Sequence, residues 1–152
     1  MPRFTGKYTR TFSTRATPDQ VKDLLSDPNT WRRHQDEIKQ STVVNDHTLD
    51  IVLKEHTHGP AKFQGQYRCR WTRTDSGTRW DSDPDANFAV NGQVSVQASG
   101  SGASVTWTES VEADVSVPRL MVRVVRPIAE TLMGKGLDRF CQKMQTILDA
   151  QA

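Results

Sequence analysis

The sequence lacks most of the features that announce a function outright. It contains no run of about eighteen apolar residues, which excludes a membrane-spanning helix. The opening stretch MPRFTGKYTR has no apolar signal-peptide core. A cytoplasmic protein without integral membrane association is therefore expected. Cysteine is scarce: Cys69 and Cys141 lie far apart, neither in a CxxC or other metal-spaced cluster, and both read as reduced, buried thiols. Charge of one sign is missing too, because 20 Lys+Arg stand against 18 Asp+Glu for a net +2. With no basic block, nucleic acid is not an expected partner. GxSxG, Walker, dinucleotide-glycine and HExxH motifs are all absent, which removes nucleophilic, nucleotide-dependent and zinc-hydrolase readings. His56 and His58 have the i, i+2 spacing of two metal ligands on a strand, but no third ligand stands beside them. Neither a cofactor nor a metal is expected.

Apolar residues are also few, at 35% with a mean hydropathy of -0.66, so any core must come from placement rather than abundance. The length of 152 residues suits one domain spanning residues 1–152. Residues 4–14 alternate, with Phe4, Gly6, Tyr8, Arg10 and Phe12 on one side, and predict a half-buried strand. Thr17 followed by Pro18 marks a helix start, and Val21, Leu24 and Leu25 supply its buried stripe. Asp27-Pro28 opens a second short helix over about 29–36, carrying Trp31 and His34.

From Ile38 the period is two. Direct pairing across an Asp46-His47 turn predicts a hairpin of 38–45 with 48–56. It sets Val44 opposite Leu49 and turns Ile38, Gln40, Thr42, Val44, Leu49, Ile51, Leu53 and Glu55 to one face. His56 to Pro60 reads as a loop. Residues 62–74 alternate with Phe63, Gly65, Tyr67, Cys69 and Trp71 inward, the pattern of an antiparallel strand with one solvated face. After a turn at Asp75-Ser76-Gly77, a strand at 78–83 has two possible registers, turning either Trp80 or Asp81 inward. Burying the indole is the cheaper choice. Strands at 88–98 and 104–115 follow, the second carrying Val105, Trp107, Glu109, Val111 and Ala113 inward. Beyond Pro118 the period becomes 3.6, and an apolar stripe from Val125 through Leu132, Gly136 and Phe140 to Leu148 predicts a long amphipathic helix, with Pro127 kinking it or opening its regular part.

Strand, two short helices, six more antiparallel strands and one long helix give an α+β layer protein in which only that helix can cover the sheet. At this point the sequence resembles the START-like or SRPBCC superfamily, whose helix-grip fold is shared with the birch-pollen allergen and with polyketide cyclase/dehydrase-type proteins. The resemblance runs over nearly the whole chain. It is carried by the run from Phe12 through Thr17-Pro18-Asp19-Gln20 to Val21, by Leu25-Ser26-Asp27-Pro28 and Trp31, by Ser104 to Thr108, and by Arg126-Pro127-Ile128. Arg32-Arg33-His34-Gln35-Asp36 stands where the ubiquinone-binding branch shows a phenylalanine-proline-tryptophan-cysteine-like run, which speaks against a quinone. The resemblance implies a seven-stranded curved antiparallel sheet wrapped around the C-terminal helix, with two short helices between the first two strands. It also implies a cavity between sheet and helix for one hydrophobic or amphipathic molecule.

Candidate cavity residues by facing are Leu53, Tyr67, Trp71, Trp80, Val94 and Trp107 from the sheet, and Leu132, Gly136 and Phe140 from the helix, with core packing as the alternative role for the aromatics. Gly65, Gly92 and Gly136 leave room for a ligand, or for close packing. Glu109, alone on an apolar face, needs a partner. Arg10, equally misplaced and on the neighbouring first strand, is the expected one, as a salt bridge first and as a polar head-group site or acid-base pair second. His34, near the expected mouth, is the remaining catalytic candidate, with a surface role as its alternative. Two functions follow from one cavity. The leading one is binding of a lipid-like or polyketide-like small molecule, and its rival is a cyclase, aromatase or dehydratase using Arg10, Glu109, Tyr67 and His34. A protein-interaction module is a third reading, marked by a collapsed cavity and an exposed apolar patch. Ligand identity and oligomeric state are not legible.

Overall fold

A computed structural model describes residues 2–152. The chain runs β1 (Arg3–Thr14), α1 (Pro18–Leu25), α2 (Pro28–His34), β2 (Ile38–Asn45), β3 (Thr48–Leu53), β4 (His56–His58), β5 (Ala61–Phe63), β6 (Gln66–Arg73), β7 (Gly77–Ser82), β8 (Phe88–Ser99), β9 (Gly102–Asp114), one 3-10 turn (Arg119–Met121) and α3 (Val122–Gln151). Seven strands form one antiparallel sheet in the order β1-β9-β8-β7-β6-β3-β2, and β4 and β5 make a separate ribbon. The helix-grip arrangement is as expected: a large sheet, two short helices after β1, and a 30-residue helix closing the chain. No helix among the described residues is long and apolar enough to cross a membrane.

Local chemistry explains the boundaries. Thr17 caps α1 through a full capping box with Gln20, with Pro18 in the first turn, and Asp27 caps α2 by accepting from Asn29 N–H. Asp75 and Ser76 form a two-residue turn between β6 and β7, which pairs Trp71 with Trp80 and buries the indole of Trp80 rather than the carboxylate of Asp81. Along β1, polar side chains grip α3. Tyr8 donates to Asp138 at 2.6 Å, Arg10 to Gln145 at 2.7 Å and Thr14 to Asp149 at 2.7 Å, while Glu130 accepts the Thr5 N–H on this sheet edge.

Three expectations need correction. The hairpin of β2 and β3 begins with Asn45 opposite Thr48 but then pairs Val43, not Val44, with Leu49, with a second irregularity between Ile38 and Gln40. As the sheet's outer strand, β2 has no second neighbour to hold its register, and Val44 stands 41% exposed. Beyond it β3 stops at Leu53, so Glu55 lies outside the strand and exposed. The expected loop at 56–60 is instead strand β4 and the Gly59-Pro60 turn into β5, and the long strand expected over 62–74 is broken at Gln64-Gly65. The break is a close backbone approach: Leu53 N–H donates to Gly65 C=O at 2.8 Å, and a Cβ on Gly65 would sit 2.7 Å from the Leu53 side chain.

The core has two parts. The second half of α3 drives Phe140, Cys141, Met144 and Leu148 onto the centre of the sheet. A smaller cluster of Phe4, Ala61, Ala113, Val115 and Val125 closes the far end. In the larger cluster, Trp31 from α2 lies 5.2 Å from Trp71, 5.1 Å from Trp80 and 5.3 Å from Phe140 between ring centroids. Truncating Trp31→Ala removes all three contacts and is expected to destabilise the protein by about 3–5 kcal/mol, read as a lower midpoint in urea unfolding with an unchanged slope.

Candidate functional site

Between the two core clusters the first half of α3 is pinned to β1 at the sheet edge but stands off the middle of the sheet and leaves a cavity of about 310 Å³. Strand alternation supplies its sheet wall, from Leu53 on β3 through Tyr67, Cys69 and Trp71 on β6 and Trp80 on β7 to Val90 on β8 and Glu109 and Val111 on β9. The helix contributes Ala129, Leu132, Met133, Gly136 and Leu137, and α2 contributes Trp31. Exposed wall residues mark the mouth: His56 and His58 of the small ribbon, Lys62, Arg139, Ile128 and Leu132. Glu37 and His56 meet there at 2.6 Å. Leu120, Val124, Ile128 and Leu132 are exposed at four-residue spacing, so the wall continues outward as an apolar stripe along the helix.

At the sheet side of the cavity stands Glu109, 7% exposed. Trp80 Nε1 donates to its Oε2 and Trp107 Nε1 to its Oε1, each at 3.1 Å. Register makes this possible. Trp80, Gly92 and Glu109 lie in line across β7, β8 and β9, and Trp80 reaches over the glycine between them. A Cβ on Gly92 would sit 2.1 Å from the indole. Burial pushes the Glu109 carboxyl up to about 7, against the two indole bonds that favour its ionised form. Burial likewise raises Tyr67 and Cys69, so both face Glu109 uncharged. A carboxyl titrating near neutrality in an apolar cavity is equipped to accept or deliver a proton.

Of the sequence candidates, the cavity brings together Glu109, Leu53, Tyr67, Trp71, Trp80, Leu132 and Gly136. Val94, Trp107 and Phe140 do not border it; all three lie in the closed core, where Trp107 sits edge-on to Trp80 at 5.2 Å and to Phe140 at 6.1 Å. The expected Arg10–Glu109 pair is absent. Strand β1 does adjoin β9, but Arg10 lies opposite Trp107 and Tyr8 opposite Glu109. The guanidinium turns to Gln145 on α3 and leaves its Nη1 buried without a partner. His34 does not line the cavity; partial burial and nearby Lys143 and Arg33 lower its pKa, and its carbonyl accepts from Lys143 Nζ at 2.9 Å. Gly92 makes room for Trp80 rather than for a ligand. His56 and His58, expected in a solvated loop, border its mouth from the β4-β5 ribbon. Sequence reasoning missed Trp31, Phe63 and Phe88 as wall residues, although the alternation at 62–74 and 88–98 already turned both phenylalanines inward. Among the described residues, no cluster of three or more His, Cys, Asp or Glu could hold a metal.

Because the folded protein holds a proton on Glu109 that the unfolded chain releases near the ordinary carboxyl value, Glu109 makes stability fall as pH rises from about 4.5 to about 7, by on the order of 3 kcal/mol. Glu109→Gln removes that slope. Urea unfolding from pH 5 to 8 should show the stability of the wild type minus that of Glu109→Gln declining across this window and flat above it. A constant difference would mean an unshifted carboxyl. A second expectation concerns geometry: Gly92→Ala displaces the Trp80 indole, destabilises by about 1–3 kcal/mol through overpacking, and changes the near-ultraviolet circular dichroism of the tryptophans.

Comparison with known proteins agrees with this architecture. No curated protein matches the sequence closely enough to count as a relative. Among solved structures, TTHA0849 from Thermus thermophilus is similar at a TM-score of 0.64 and 16% identity, covering 99% of both chains. A START superfamily protein from Mycobacterium smegmatis is similar at 0.60 and 13%, over 96% of this chain and 99% of its own. Norcoclaurine synthase from Thalictrum flavum, solved with a transition-state analogue, is similar at 0.58 and 14%, over 97% and 96%. These likenesses speak to the fold. A family model described as polyketide cyclase / dehydrase and lipid transport matches residues 5–146. With nearly its whole length matched and the sheet gripping its last helix in the START-like fold, the chain belongs to the polyketide cyclase / dehydrase and lipid transport family.

Proposed function

We propose that the protein binds one hydrophobic or amphipathic small molecule, lipid-like or polyketide-like, between the sheet and α3. The observation that carries this reading is the cavity of about 310 Å³, walled mainly by apolar and aromatic side chains and holding a buried carboxyl. That volume lies at the small end of ligand sites and suits a compact ring system or a short chain rather than a two-chain lipid. Membership in a family described by both lipid transport and cyclase or dehydrase activity supports the same class of molecule.

A second reading, turnover of the bound molecule, is favoured by one observation: Glu109 borders the cavity with its carboxyl pushed up to about 7. In that reading Glu109 moves the proton, and Tyr67, on the same wall, orients the substrate. Glu109→Gln separates the two, keeping the binding of a neutral apolar molecule under the first and losing turnover under the second.

Gly136 provides the direct test. It borders the cavity from α3, and a Cβ there would meet nothing nearer than an Arg139 nitrogen at 3.9 Å. A side chain at this position therefore starts into open space, and Gly136→Phe is built to occupy the cavity while removing a helix-weakening glycine, worth up to about 0.5 kcal/mol of stability. Its expected result is at least tenfold weaker binding of the fluorescent apolar probe N-phenylnaphthylamine, with an unfolding midpoint equal to or above that of the wild type. Undiminished probe binding in this variant would show that the probe, and the function inferred from it, lies elsewhere.

A further inference from the structure

Resting on the reading of the cavity as a ligand site, the geometry points to a narrower class: we infer that the molecule it takes is an aromatic or alicyclic amine whose ammonium group docks on Glu109. Four observations converge on this. The carboxyl is buried, yet among the described residues no cationic side chain pairs with it; its partners are two neutral indoles. Lys62 and Arg139, the cationic wall residues, are exposed, and Arg10 is engaged with Gln145. A carboxylate has about four lone-pair sites and each oxygen here accepts one bond, so each keeps a free site for a donor. The surrounding wall is aromatic, with Trp31, Tyr67, Trp71, Trp80 and Phe88 on it, and ring faces attract organic cations most strongly where water is excluded. Finally, Trp71, 2% exposed and on the same wall, has an Nε1–H with no partner.

These features discriminate between head groups. A neutral hydroxyl would fill a lone-pair site but bring no counter-charge to the ionised acid. A carboxylate ligand would meet a like charge. Primary or secondary ammonium supplies the counter-charge and the N–H donors together, and the rings accept its adjoining carbons. The free Trp71 N–H would take an acceptor oxygen borne by the same molecule. This chemistry remains compatible with an apolar body filling the rest of the cavity, between Val90 and Val111 on the sheet and Ala129 and Met133 on the helix.

Calorimetric titration of the full chain at neutral pH with three probes of one skeleton tests the assignment: naphthylethylamine, naphthylethanol and naphthylacetate. The amine is expected to bind at least tenfold more tightly than the alcohol, with the acetate weakest. In Glu109→Gln the amine should fall to the level of the alcohol, while the alcohol changes by no more than about twofold. The ranking on the unaltered protein decides the matter even if that variant folds poorly. Alcohol or acetate binding as tightly as the amine would overturn the amine class, as would an amine preference that survives Glu109→Gln. Should N-phenylnaphthylamine bind and none of the three do so, the amine class fails while the ligand site stands. If no probe binds, the ligand site itself fails, and the inference with it.

Discussion

A carboxylate buried on an apolar sheet sets the terms for everything around it. Left alone, Glu109 would cost several kcal/mol to bury, and no basic residue pairs with it. Two tryptophans on different strands hold it instead, and they can do so only because Gly92 lies between Trp80 and the acid. Once both indoles are committed to Glu109, their positions fix the ring of Trp31 against Trp80 and that of Phe140 against Trp107. The packing of α2 and of the second half of α3 thus follows from one hydrogen-bonded cluster. A chain poor in aliphatics builds its core this way, with few large rings tied down by their polar tips.

The cavity is the complement of that cluster. Phe140, Cys141, Met144 and Leu148 bring the end of α3 onto the sheet, whereas its first half buries only Val125. Between them the helix presents two small residues to the cavity, Ala129 and Gly136, which leave space where longer side chains would have filled it. Polar bonds from β1 to Glu130, Asp138, Gln145 and Asp149 hold the helix at both ends, so the gap does not depend on apolar contact to stay open. Space, rigid walls and one acid are the elements that ligand recognition requires.

Much of this was legible in the residues. Alternation identified all seven strands of the main sheet, six of which have buried residues on one face while β2 has none, and the 3.6-residue stripe identified α3. Where the pattern weakens, so did the reading. On β2, the outer strand, no neighbour enforces the register, and a bulge at Val44 left no trace in the order of residues. Gly65 breaks an alternation that continues through it unchanged in sequence. Glu109 shows a different limit. Its isolation was plain, and so was the neighbourhood of β1 and β9, but the partner depended on a register that places Tyr8 rather than Arg10 opposite it. The signal for the true partners was present in Trp107, two residues away on the same face, and in the tryptophan of a strand two positions over. Reading the indole N–H as a donor, rather than the ring as apolar area, would have found them.

Whether Glu109 carries its proton depends on what fills the cavity. Burial raises the carboxyl and the two indoles lower it, leaving it near 7, where neither form dominates at physiological pH. Tyr67 and Cys69, which face it from β6, stay neutral and do not decide the balance. An apolar occupant strips away what solvation remains and favours the protonated acid. An occupant bearing a positive charge does the reverse and releases the proton. Glu109 therefore stands between two electrostatic states, and the charge of any bound molecule would select one. A carboxyl held ionised by an arginine would have lost that response, so the turning of Arg10 toward α3 is what leaves Glu109 able to respond to whatever enters the cavity.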